Sequence, residues 1–221
     1  MTASQNEARG SQDRLPGAQS PSRPPGRRAR RAAETRIKLF HSALQLFADH
    51  GFTNVTVEDI TEAADVGKGT FFNYFESKEH VLGVMAEIQL SRINEAARQA
   101  ASARRSIRSV LHHMVLRLAE EPGRSPHLAR AVIGSFLASE VVRNLVENEF
   151  LKGRETLAAI IREGQGRGEI DLRRNPDDMA LQLQQSMMGT VLLWSLHGGP
   201  ELTRWAQKTF DHFWRSVAVR G

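Results

Sequence analysis

The chain is predicted to be all-α. From Ala32 onward apolar residues recur three and four positions apart, and no stretch shows the period of two that a half-buried strand needs. Glycine, proline and capping residues punctuate the chain at helix-length intervals, which gives eight or nine helices with no long internal repeat.

The first helix, about 32–50, places Ile37, Phe40, Ala43, Leu44, Phe47 and Ala48 on one stripe and stops at Gly51, which accepts a left-handed backbone without strain. Thr56 offers its hydroxyl to the free amides of a short second helix reaching about Ala64, where Glu58 and Asp59 suit the positive end of the dipole. Asp65, Val66 and Gly67 form a tight turn into a third helix from Lys68 to about Tyr74. Ser77 caps a fourth, with Glu79 in its first turn, extending toward Ala100. Further helices lie near 104–120, 126–138, 140–164, 176–197 and 200–218. Their breaks are Glu121-Pro122-Gly123, the loop from Gly164 to Gly168, Asn175-Pro176 and Gly198-Gly199-Pro200.

With 221 residues the chain can bury the core of one large domain or two small ones. It has no cysteine, which removes disulfides, thiol nucleophiles and thiolate metal sites and suits a reducing compartment. The longest apolar runs, such as 187–196, fall short of the roughly 20 residues of a membrane span. Arg27-Arg28 is not followed by the apolar segment of an export signal, so the expected location is the cytoplasm, away from the membrane.

The net charge of +5 sits in residues 1–31, where seven arginines face only Glu7 and Asp13; the remaining chain holds 23 basic and 23 acidic side chains. Residues 1–30, rich in Ser, Gln, Gly, Pro and Arg, read as a disordered basic arm. Its GRRARR run is either a solubilising tail or a contact for nucleic-acid phosphates. Signals for chemistry are weak. His112 and His113 are neighbours that point apart on a helix, EGQGRGE follows a helix rather than a strand, and no Gly-x-Ser-x-Gly occurs, so no catalytic residue, metal site or cofactor is expected.

Residues 67–75 hold four aromatic side chains in nine positions of a chain with ten phenylalanines and one tyrosine. Two short helices joined by a glycine-containing turn after a longer helix make the pattern of a helix-turn-helix. Phe71 and Phe75, four apart, share a face with Val66 and Ile60 and are expected to lock the third helix onto the first two. Lys68, Gly69, Thr70, Phe72, Asn73 and Tyr74 then point outward, where Asn reads a base edge, Thr, Tyr and Lys donate to phosphates, and Gly69 admits a close backbone. The competing reading is an aromatic-rich hairpin with Tyr74 half buried. Residues 32–90 carry four basic and nine acidic groups, so Glu58, Asp59 and Glu62 are expected to face away from DNA while Lys68 and Lys78 bracket the third helix.

TRIKLFHSALQLFADHGFTNVTVEDITEAADVGKGTFFNYFESKEHVLGVM, residues 35–85, resembles the DNA-binding domain of TetR-family transcriptional regulators almost end to end. The resemblance implies a DNA-binding domain over 31–90 and a helical effector-binding and dimerisation domain over 91–221. It implies a helix-turn-helix from Thr56 to Phe75, a phosphate contact at Thr56, a groove-facing set of Lys68, Gly69, Thr70, Phe72, Asn73 and Tyr74, and a backbone contact at Lys78. Phe72 stands where many members have tyrosine, which removes a phosphate hydrogen bond and leaves stacking or sugar packing, and Asn73 is a less common choice.

The resemblance further implies dimerisation through the last two helices. These carry Leu181, Leu183, Met187, Met188, Val191, Leu192 and Trp194, then Trp205, Phe210, Phe213, Trp214 and Val217, more apolar surface than one monomer flank needs. Met114, Leu118, Ile133, Phe136, Leu137, Met187 and Trp194 are the candidates for an effector pocket, methionine adapting to varied ligands and tryptophan giving a flat wall with one donor. Each competes with a role as ordinary core. The expected partners are a pseudo-palindromic double-stranded operator, a second copy of the chain and a largely apolar small molecule. The function that follows is a ligand-released repressor, with an activator, a nonspecific DNA-coating protein driven by the arm, and a helical enzyme or carrier as alternatives.

Overall fold

The computed structural model describes residues 27–102 and 104–219, so most of the expected arm lies outside the described residues. These fold as α1 (Arg27–His50), α2 (Val57–Ala63), α3 (Lys68–Phe72), α4 (Lys78–Ala101), α5 (Ile107–Glu120), α6 (Pro126–Ala138), α7 (Glu140–Gly166), α8 (Pro176–His197) and α9 (Leu202–Val217). Single 3-10 turns occupy Phe52–Asn54 and Pro122–Arg124. Among the described residues the β contact is one isolated bridge between Ile170 and Ala218. The fold is all-α.

The helix starts have chemical causes. Thr56, Ser77, Ser106, Ser125, Ser139 and Asn175 each accept a first-turn amide with a side-chain oxygen, and proline stands at the first position of α6 and α8. Three boundaries differ from the sequence expectation. The chain is already helical at Arg27, the first described residue, ahead of the expected start near residue 32; arginine is a good helix former, and Arg30 pairs with Glu34 one turn on at 3.7 Å. Helix α3 ends at Phe72 rather than near Tyr74, and the turn before it takes its left-handed residue at Asp65 (φ 50°). Helix α7 continues through Gly164 because Ile170 folds back over it. A Cβ there would lie 2.7 Å from Ile170 Cδ1, and the chain leaves the helix at Gly168 (φ 71°) instead.

Two apolar cores result. The first joins Phe40, Leu44 and Phe47 of α1, Ile60 of α2, Phe71 and Phe75 around α3, and Val81 to Ala86 of α4, and it is completed by Leu128 and Val132 of α6 and Val142 and Val146 of α7. Full burial of a side chain such as Phe71 contributes about 1.5–3 kcal/mol. The second core joins α5, α8 and α9 with the C-terminal halves of α4 and α7, around Leu111, Ile160, Ile161, Met179 and Phe210. Helix α4 runs unbroken through residue 90 and serves both. It lies close against α7, where a Cβ on Gly153 would stand 3.0 Å from Ile93 Cδ1.

Gly51 adopts φ 80° and ψ 150°, a region essentially closed to side-chain-bearing residues. Gly51→Ala is expected to lower unfolding free energy by about 1–3 kcal/mol, while Gly67→Ala, whose Cβ meets nothing within 4 Å, changes it by less than about 1 kcal/mol; urea denaturation of both variants checks the contrast.

Candidate nucleic-acid interface and ligand cavity

Helix α3 is held by its aromatic residues. Phe71 and Phe75 are fully buried, with ring centroids 5.4 Å apart, and Arg36 of α1 lies over the Phe75 ring at 5.8 Å. With that face anchored, Lys68, Gly69, Phe72 and Asn73 are exposed and Thr70 is half-buried. Phe72 leaves half of its surface open and meets Phe71 edge-on at 5.5 Å. Tyr74 does not point fully outward, because its ring packs on the head core and leaves it half-buried. Among the described residues, no internal hydrogen bond engages the side chains of Thr70, Asn73 or Tyr74. Three unspent polar groups beside an exposed aromatic ring fit the edges and backbone of a major groove.

Other expected contacts are already occupied. The Thr56 hydroxyl accepts the Asp59 amide at 3.2 Å while Asp59 Oδ2 accepts the Thr56 amide at 2.8 Å, closing a capping box, and the hydroxyl also donates to Asp59 Oδ2 at 2.7 Å. These bonds hold the Asp59 carboxyl below its usual range, chiefly through the Thr56 amide. Glu58 does not face away from the interface. Its carboxylate takes the Lys68 ammonium across the α2–α3 turn, and that hydrogen bond is the main cause of its lowered pKa. Lys78 departs furthest from expectation. Its Nζ donates to Phe52 O at 3.0 Å and Val55 O at 2.8 Å and stands 4.7 Å from the Phe52 ring centroid. The ammonium ties the α1–α2 connection to the start of α4, a pairing across more than twenty residues that sequence spacing does not signal.

Between the two cores lies a cavity of about 770 Å³ walled by α4, α5, α6, α7 and α8. Met114, Leu118, Ile133, Phe136 and Met187 line it, with Leu82, Met85, Ile93 and Phe150. Two candidates do not. Leu137 is 80% exposed, because it follows Phe136 by a 100° step around the end of α6. Trp194 lies two turns along α8 from Met187, past the end of the cavity, where its indole Nε1 donates to Pro200 O at 2.8 Å and its ring joins the second core. The charged lining comes from α7: Arg143, Glu147, Glu149 and Arg154. Sequence reasoning passed over these because a charge on a surface helix reads as solvated. Among the described residues no three His, Asp or Glu side chains converge as a metal site, and no buried side-chain nitrogen or oxygen lacks a partner.

Much of the apolar surface of the last two helices is spent internally: Leu183, Trp194, Phe210, Phe213 and Val217 are buried. The outward groove between α8 and α9 is lined instead by Ser186, Gly189, Leu193, Trp205, Thr209 and His212, with Thr190 and Thr209 hydroxyls 2.6 Å apart.

Two outcomes test the head. Lys78→Met leaves the Phe52 and Val55 carbonyls without their donor and is expected to cost about 1–3 kcal/mol in urea denaturation, where a residue serving DNA alone leaves stability unchanged. Glu58→Gln frees Lys68 and removes a carboxylate. DNA affinity is expected to rise, and the slope of log affinity against log salt to steepen by about 0.9 per head, with little change in the urea midpoint; anisotropy at several salt concentrations measures both affinity and slope.

The bacterial regulatory proteins of the tetR family match residues 39–85 as a family model, and the tetracyclin repressor-like C-terminal domain matches residues 135–210. TcmR of Streptomyces glaucescens, an HTH-type transcriptional regulator, is 42% identical over 81 residues, which take in 37% of this chain and 34% of TcmR, so the match spans about a third of that protein. DhaR of Mycobacterium sp. strain GP1, an HTH-type transcriptional repressor, is 30% identical over 160 residues, 71% of this chain and 80% of DhaR. Among solved structures, the TetR-family repressor FadR of Thermus thermophilus, in complex with lauroyl-CoA, aligns with a TM-score of 0.60 and 26% identity over 84% of this chain and 96% of FadR. By sequence over most of its length and by its two-core helical architecture, the chain belongs to the TetR family of DNA-binding transcriptional regulators.

Proposed function

We propose that the protein is a cytoplasmic homodimeric repressor that leaves its operator when a largely apolar small molecule fills the cavity. The observation that carries this reading is the double use of α6: Leu128 and Val132 complete the core of the DNA-binding head, while Ile133 and Phe136 line the cavity. A ligand that displaces Phe136 acts on the same rigid helix that supports α1. The reading needs only differential affinity between two head spacings, and typical coupling of about 1–3 kcal/mol changes occupancy 5–150-fold. The lauroyl-CoA held by FadR supports an acyl-like chain as ligand.

In this reading Thr70, Asn73 and Tyr74 read the groove with Gly69 and Phe72 beside them. Lys68 exchanges Glu58 for a phosphate, and Thr56 and Lys78 act mainly by holding the head in shape. The α8–α9 groove is the surface for a second copy. Gly189 and the small Ser186 and Thr209 side chains allow close approach of helices, and the dimer presents two heads to half-sites about 34–36 Å apart.

Anisotropy titration against the upstream intergenic DNA and a scrambled control, at two salt concentrations, tests the reading. Tight binding to the native fragment alone is expected; equal, salt-collapsing affinity for both overturns it. Light scattering is expected to give twice the mass of the chain. Gly189→Arg is expected to return a folded monomer with operator affinity lower by about 10²–10⁴-fold, because linked binding is lost.

A further inference from the structure

The charged lining of the cavity is unequal. Arg143 donates to Phe136 O at 3.1 Å and Leu137 O at 3.2 Å, which fixes it to the end of α6, and Glu149 accepts Lys152 Nζ at 2.8 Å. Arg154 is half-buried beside apolar walls, and among the described residues it has neither a hydrogen bond nor an ion pair. Its one-turn neighbour Leu157 and the facing Ile93 are apolar and line the same cavity. A guanidinium drawn partly out of water without a counter-ion is unfavourable, and its planar fork of donors matches a carboxylate or a phosphate. The unpaired acid of the lining, Glu147, is exposed and lies seven residues earlier, about 10.5 Å along the helix. Among the described residues no ion pair joins Glu147 to Arg154, so the guanidinium has no direct counter-ion in the lining.

We infer that the cavity takes an amphipathic anion, its apolar chain lying between α4, α5, α6 and α8 and its carboxylate or phosphate paired with the Arg154 guanidinium. The inference rests on the cavity being the effector site. It adds a polarity: the ligand enters chain-first toward Met114 and Ile133, leaving its anionic head at α7. A neutral molecule of the same shape fills the apolar volume but leaves Arg154 unpaired. A cation meets the guanidinium as a like charge.

Three decyl probes separate these cases: decanoate, decan-1-ol and decyltrimethylammonium, titrated calorimetrically into the full chain, Arg154→Gln, Arg154→Lys and Ile133→Trp. Decanoate is expected to bind at least about tenfold tighter than decan-1-ol, the ratio a charge-assisted hydrogen bond supplies. Arg154→Gln is expected to erase that preference while decan-1-ol binds unchanged, which also shows the cavity intact, and Arg154→Lys to keep part of it. Ile133→Trp is expected to weaken all probes that bind the parent chain. Equal affinities of acid and alcohol, a surviving preference in Arg154→Gln, or tightest binding of the cation overturns the anionic assignment. If decan-1-ol still binds and Ile133→Trp abolishes it, the effector cavity stands without the anion. If none of the three probes binds, both readings fall together.

Discussion

Helix α4 constrains the rest of the molecule. Twenty-four residues in one unbroken helix form a rod about 36 Å long. Its early turns, around Val81 to Ala86, are built into the head core, and its last turns, at Ala96 and Ala100, into the second. Gly153 lets α7 lie close along it. A rod fixed at both ends transmits tilt rather than absorbing it. The cavity opens along the middle of that rod, so its walls and the supports of the DNA-binding head are largely the same helices.

The electrostatics of the head follow a different logic from its packing. Residues 32–90 are acid-rich, Asn73 is exposed beside half-buried Thr70 and Tyr74, and two of the head's cations are engaged internally. Lys68 rests on Glu58, and Lys78 on backbone carbonyls. In the proposed reading, Lys68 gains a phosphate only on docking, which favours discrimination by groove edges over attraction to any duplex. Exposed Arg27, Arg28 and Arg30 in the first turns of α1 supply the diffuse positive charge that the remainder of the head lacks.

The fold was legible wherever a local rule decides. Thr56 and Ser77 cap the helices they were expected to cap, and Asn175-Pro176 and Gly198-Gly199-Pro200 break the chain where expected, because caps and breakers act within one turn. The buried pair Phe71 and Phe75 followed from spacing alone. Interactions between distant residues were not legible. Glu169 accepts the amide of Ile107, 62 positions away, at 2.9 Å, Lys78 reaches back to Phe52, and Trp194 finds Pro200 across a turn. Leu137 shows the limit of composition: an apolar residue near a helix end belongs inside or outside according to a single 100° step. That the chain is already helical at Arg27 was hidden by a neighbourhood whose composition resembles a disordered tail.

The head core is finished by residues that come late in the chain. Leu128, Val132, Val142 and Val146 cover apolar surface contributed by α1 and α4, so a nascent chain that has emerged only to the end of α4 still exposes that face to water. Burial of the reading head therefore waits for α6 and the start of α7 to leave the ribosome, by which time much of the cavity wall has been synthesised. The order of translation thus completes the head core only after much of the cavity wall has been made, and a chain interrupted between them carries an open apolar face.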